Sequence, residues 1–174
     1  MTSKTTFREG EEVIYPNHGL CVIQNIKQET IGGISDTFYN VKVIETGSSL
    51  FIPSGNLFMV GLRYPLQKAA VERILSQIND DDIHIYSKWK NRYEDNLKLI
   101  NTGTPENMVK VLKSLFYVAA RKTLSFREKK MQEKVLFLLA SEIAHTLKQD
   151  VDATIERLSA SLSKTMENFI SKQG

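Results

Sequence analysis

The feature that most restricts how this chain can fold is a change of hydrophobic period at Tyr64-Pro65. Before it, short runs rich in β-branched and aromatic residues, Val13 to Tyr15, Leu20 to Ile26, Phe38 to Ile44 and Leu50 to Ile52, are separated by turn residues. No stretch between them repeats at a helical spacing, so they predict strands. Gly32-Gly33, flanked by Ile31 and Ile34, predicts a two-residue hairpin turn, and Thr46-Gly47-Ser48 a second one. Four or five short strands in about 60 residues predict a small, strongly bent antiparallel sheet of the SH3-like or Tudor-like kind, which usually binds a partner and seldom catalyses.

After Pro65 the apolar residues recur at helical spacing. Leu66, Ala70, Ile74 and Ile78 set a first stripe, and Trp89, Tyr93, Leu97 and Ile100 a second. Thr104 as N-cap with Pro105 at the first helical position opens a third helix, carrying Met108, Val111, Leu112, Leu115, Phe116 and Ala119. Ser125 with Glu128 three residues on is a capping box for a fourth, whose face holds Met131, Val135, Leu138, Leu139 and Leu147. Asp150 or Asp152 caps a fifth, with Ile155, Leu158, Leu162, Met166, Phe169 and Ile170 on one side. The expected class is therefore α+β: a small antiparallel β domain over residues 1–64, followed by an all-α domain over 65–174.

Composition argues for a soluble globular protein: 41% of the 174 residues are apolar and 25% charged. The longest apolar run, Val135 to Ala140, is far below the ~20 residues that span a bilayer, and no signal segment opens the sequence, so a cytoplasmic protein without membrane contact is expected. Cys21 lies in an apolar run with Val22 and Ile23 and reads as a buried strand residue. His18, His84 and His145 are far apart and form no metal-spaced set with Cys21 or a carboxylate. There is no phosphate-binding glycine loop and no G-x-S-x-G or H-E-x-x-H, and Asp80-Asp81-Asp82 reads as a solvated loop or helix cap. No metal, cofactor or catalytic residue is expected, and the enzyme class is set aside.

The net charge of +3 conceals an asymmetry. Residues 1–65 carry five basic and six acidic side chains; residues 66–174 carry eighteen and fourteen, and the stretch from His84 to Lys134 alone is net +7. Its cations gather at two expected helix starts, Lys88-Trp89-Lys90-Asn91-Arg92-Tyr93 behind a possible Ser87 cap, and Arg127, Lys129 and Lys130 behind Ser125. A cation in a first turn opposes the helix dipole by a few tenths of a kcal/mol unless an anion such as phosphate binds there. Trp89 has two readings: spacing alone favours the buried end of an apolar stripe, while its cationic neighbours suit a wedge beside a polyanion. Composition and placement leave a solvated basic face and a nucleic-acid backbone site equally open.

Five motifs in order narrow this choice: Phe7-x-x-Gly10-x-x-Val13-x-Tyr15-Pro16-x-His18-Gly19; Ile52-Pro53; Val60-Gly61-Leu62-Arg63; Trp89-x-x-Arg92-Tyr93-x-x-Asn96; and Leu124-Ser125-x-x-Glu128-Lys129-x-Met131. Together, from about Phe7 to about Leu147, they resemble the CarD/CdnL family of bacterial transcription regulators. The resemblance implies a Tudor-like domain that docks on the β subunit of RNA polymerase, as the related module of transcription-repair coupling factor does. It also implies a helical domain that meets promoter DNA at the upstream fork of the bubble and stabilises the open complex. On this basis Lys88, Trp89, Lys90, Arg92, Arg127, Lys129 and Lys130 are expected at DNA, Trp89 wedging into the minor groove while cations meet the backbone with little sequence preference.

Glu29, Phe51, Ile52 and Pro53 are expected at polymerase. The sequence departs from well-described actinobacterial members, which have arginines where it has Glu29 and Phe51, and basic residues where it has Asn91 and Glu94. Docking here would then use apolar burial at Phe51 and Ile52 or backbone pairing along a sheet edge rather than those salt bridges. A monomer is expected. The alternative is a protein-only adaptor with Trp89 in the core and the basic faces against an acidic partner; a nuclease would need a convergent carboxylate or histidine site that is not visible.

Overall fold

The computed structural model describes residues 6–83 and 91–173, which separate into two compact units at Pro65 and Leu66. The first unit is an antiparallel meander of β1 (Glu12–Tyr15), β2 (Gly19–Ile31), β3 (Ile34–Val43) and β4 (Ser49–Pro53), in that spatial order. Gly32 and Gly33 turn the β2–β3 hairpin with φ of 61° and 81°, the left-handed pair that a tight hairpin turn demands. After β4 a 3-10 turn (Ser54–Asn56) brings the chain back, and Arg63 exchanges backbone hydrogen bonds with Ile14 on β1 at 2.7 and 3.1 Å. This return curls the sheet into the expected SH3/Tudor-like form and leaves β4 at the opposite edge, paired only with β3.

Alternation decides what the sheet buries. Val13, Cys21, Ile23, Tyr39, Val41, Val43 and Ile52 form the core together with Phe7, Leu57 and Leu62. Burial pushes the Cys21 thiol up to about 11, so it remains a protonated apolar residue. Gly61 has a φ of 74° and lies so close to Pro16 that an added Cβ would meet the proline ring at 3.1 Å. The hairpin is longer than its hydrophobic pattern predicts. β2 and β3 continue beyond Ile26 and Phe38 to the Gly-Gly turn as a largely exposed arm, held by its ladder rather than by burial.

The second unit contains α1 (Lys68–Asn79), α2 (Arg92–Asn101), α3 (Pro105–Arg121), α4 (Phe126–Leu147) and α5 (Val151–Ser171). α3 starts where the sequence places it, at Thr104-Pro105, although Thr104 makes no side-chain capping bond; the Ser125 capping box forms, and Asp150 rather than Asp152 caps α5, its carboxylate accepting from the Ala153 amide at 2.8 Å. Val71, Ile74, Ile78, Leu112, Leu115, Val135, Leu139, Ile143, Leu158 and Leu162 make the dry centre. Each such side chain contributes about 1.5–3 kcal/mol on burial. Ala119, expected on the inner stripe of α3, is exposed instead, while Tyr117 and Val118 turn inward toward Met166.

Several bonds tie α1 and the residues flanking it to positions far along the chain. The Leu66 amide donates to Glu142 Oε1 at 2.9 Å, Thr146 Oγ1 donates to the Leu66 carbonyl at 2.8 Å, and Thr165 Oγ1 donates to the Ile78 carbonyl at 3.2 Å. Lys113, almost wholly buried on α3, donates to the Asp80 and Asp82 carbonyls at 2.9 and 3.1 Å and pairs with the Asp80 carboxylate. Asp80 and Asp82 thus serve to finish α1 and hold a buried ammonium. Among the described residues no helix is long and apolar enough to cross a membrane.

Candidate functional site

The starts of α2 and α4 lie against each other, and each helix lends the other an arginine. Arg92, the first residue of α2, donates from Nε to Glu128 Oε1 of α4 at 2.8 Å, and its Nη2 bonds the same oxygen. Arg127 of α4 in return lies over the Tyr93 ring of α2, 4.0 Å from its centroid, a cation–π contact worth about 0.5–2 kcal/mol. Glu128 is the hub. Its Oε2 accepts from the Ser125 amide at 3.0 Å and the Ser125 hydroxyl at 2.8 Å, while the Glu128 amide donates back to Ser125 Oγ at 3.3 Å. Burial works to raise the Glu128 pKa, but the hydrogen bonds from Ser125 and Arg92 outweigh it and hold the carboxyl below its ordinary value.

This geometry corrects the role expected for Arg92. Only 7% exposed and committed to Glu128, it is not available to a phosphate; it joins two helices. Asn96, one turn further along α2, is fully buried, and among the described residues neither its Nδ2 nor its Oδ1 has a hydrogen-bond partner. The first turn of α2 also carries Glu94 and Asp95, the charges that suit a helix N-terminus. Its N-cap is Asn91, which makes no side-chain capping bond. Lys88, Trp89 and Lys90, with the cap expected at Ser87, lie outside the described residues.

The cations that do face solvent are Arg127, Lys129 and Lys130 in the first turns of α4. Glu128 turns inward among them, so the capping carboxylate stabilises the helix start without neutralising its outer surface. Lys130 is tempered by Glu133, which accepts from its Nζ at 2.9 Å, an exposed pair worth less than about 1 kcal/mol. Beside them Phe126 is 76% exposed, with the Lys130 ammonium 5.9 Å from its ring centroid. The sequence reading did not single out Phe126. Its signal was an aromatic at the first position of a helix, off the Met131–Val135 stripe and followed by three cations.

In the first unit the residues expected at polymerase divide. Phe51 is 63% exposed on the edge strand β4, and Glu29 is exposed on the β2 arm. Ile52 is in the core at 4%, so its side chain cannot meet a partner and only its backbone lies along the edge. Pro53 is half-buried at the end of β4, opposite Phe38. Among the described residues, no group of three His, Cys, Asp or Glu side chains could hold a metal ion.

Residues 7–64 match the CarD-like/TRCF RID domain, and residues 73–159 match the C-terminal domain of CarD. YdeB of Bacillus subtilis (strain 168), named as a candidate transcription factor, is 24% identical over 137 residues, covering 79% of this chain and 90% of that protein. The solution structure of the 72-residue N-terminal domain of Myxococcus xanthus CarD is 29% identical, covers 34% of this chain and 79% of that domain, and has a TM-score of 0.30. A curled sheet followed by a helical unit, each matched by its own half of one family, defines a two-unit transcription regulator. The chain belongs to the CarD family.

Proposed function

We propose that this regulator docks on the β subunit of RNA polymerase through its N-terminal unit and stabilises the promoter open complex by meeting DNA at the upstream fork of the bubble through its helical unit. The observation that carries the DNA half is the meeting of the α2 and α4 starts. The Arg127–Tyr93 and Arg92–Glu128 contacts bring the exposed Arg127, Lys129 and Lys130 next to the start of α2, which supports a shared DNA surface at the two helix starts. In this reading Lys88, Lys90, Arg127, Lys129 and Lys130 neutralise phosphates, and Trp89 wedges against an unstacked step, a division of labour that carries little sequence information. Arg92 acts through the packing of the two helices. Membership of the CarD-like/TRCF RID family supports polymerase as the docking partner. Docking raises the local concentration of the helical unit at the fork, so weak DNA contacts suffice.

The test is open-complex lifetime with purified polymerase, measured with the wild type and with Trp89→Ala. The expected outcome is a longer lifetime with the wild type and loss of most of that gain with Trp89→Ala, whose stability falls by under ~1 kcal/mol. A melting loss of ~3–5 kcal/mol, as for truncation of a buried aromatic, with an unchanged lifetime would instead make Trp89 a core residue and the protein an adaptor.

A further inference from the structure

The exposed arm of the β2–β3 hairpin carries an arrangement that folding does not explain. In the antiparallel register Glu29 stands directly opposite Asp36, and like charges in that position destabilise a ladder. Glu29 is exposed, and its carboxylate has no hydrogen bond or ion pair among the described residues. Asp36 accepts only from neutral donors, the Thr37 amide at 2.7 Å and the Ser54 hydroxyl at 3.1 Å, so its charge is not compensated. Lys27 lies two positions from Glu29 on the same face and forms no ion pair among the described residues, leaving the patch net negative. Lys42, six positions from Asp36, is roughly 20 Å away along the strand and beyond a Debye length.

The same face is apolar on either side of the two carboxylates. Toward the turn stand Ile31 and Ile34, paired with each other and 61% and 73% exposed; toward the edge stands Phe51, in register with Asn40. A two-stranded arm that buries so little is marginal in water by itself. We propose that this outward face docks a protein segment that brings a basic side chain between Glu29 and Asp36 and covers Phe51, Ile31 and Ile34 with apolar ones. Charge selects the occupant. Nucleic acid and anionic lipid are repelled, and a second copy of this chain laid on the same face would set carboxylates against carboxylates.

The inference rests on the docking of the N-terminal unit proposed above, and adds the sign and chemistry of what it meets: a cation on polymerase. The test measures the affinity of the full-length chain for purified RNA polymerase core enzyme at several salt concentrations, with the wild type, Glu29→Gln and Glu29→Arg, beside the melting temperature of each. Glu29→Arg can pair with Asp36, so its melting temperature is expected to hold or rise while its affinity falls at least tenfold and loses much of its salt dependence. Glu29→Gln is expected to lose less. Equal or tighter binding by Glu29→Arg overturns the inference while leaving polymerase docking intact. A wild type that does not bind at any salt concentration overturns the docking itself and the inference with it.

Discussion

The two units spend their surfaces differently. Of the eight large hydrophobic side chains most exposed among the described residues, seven, including Phe51, Phe58 and Met59, belong to the N-terminal unit, and only Phe126 belongs to the helical one. The N-terminal sequence has no basic excess, whereas the helical half is net +4. Exposed apolar area gains from contact with another protein, and a cluster of cations gains from contact with a polyanion. Two opposite chemistries in one chain suit a protein that joins unlike partners. The helical unit also shows how a cationic surface can be built on a helix start without undoing the helix: the cations point out, and one buried carboxylate takes the cap.

That division can be broken first at Arg92. Arg92→Ala removes the partner of a buried carboxylate, and the expected cost to the helical unit is ~3 kcal/mol or more, seen as a lowered midpoint in urea while the N-terminal sheet keeps its own. A variant that melts like the wild type yet loses DNA contacts would return Arg92 to the phosphate-binding set.

A smaller effect separates the units by pH. Glu128 is held below its ordinary pKa, so its contribution is fully present above the unfolded value of about 4.5 and is lost as pH falls through the folded value. Urea unfolding followed by far-UV circular dichroism is expected to show helical stability flat near neutrality and falling below about pH 4.5, with a shallower fall in Glu128→Gln. An identical acid profile in that variant would place the sensitive group elsewhere.

The smallest expected effect on stability is that of Lys129→Ala, zero or a gain of a few tenths of a kcal/mol, because a cation leaves a helix N-terminus. On free DNA, where the intact protein should bind weakly with a log–log salt slope of roughly −3 to −4, the same change is expected to reduce the slope by about 1. A filter-binding titration against salt checks both values, and an unchanged slope would remove Lys129 from the interface.

Much of the fold was legible because burial writes itself into spacing. The Gly-Gly turn, the capping box of α4 and the apolar stripes followed directly from residue types at fixed intervals. The hairpin arm beyond Ile26 was not legible, because a ladder with polar residues on both faces leaves no alternation to read. At the site, the cations of α4 were visible as a cluster, but the fate of Arg92 was not. Whether an arginine meets solvent or a buried carboxylate depends on Glu128, 36 residues away, and no local pattern encodes that distance. The burial of the Ile52 side chain was missed for a simpler reason: strand parity sends it inward while its neighbour Phe51 goes out.

The long-range bonds of α1 have a consequence for synthesis. The sheet can close as soon as Arg63 is available to pair with Ile14. α1 and the residues leading into it cannot finish so early: the Leu66 amide awaits Glu142, and the Ile78 carbonyl awaits Thr165, 87 residues later. At about 5–20 residues per second, that separation leaves α1 without its final partner for ~4–17 s after Ile78 has been added to the growing chain. During that interval the nascent protein has a finished sheet unit and an unfinished helical one. Rare codons or ribosome pausing between α1 and α5 would lengthen the exposure of Val71, Ile74 and Ile78 to chaperones and proteases, while leaving the N-terminal unit untouched.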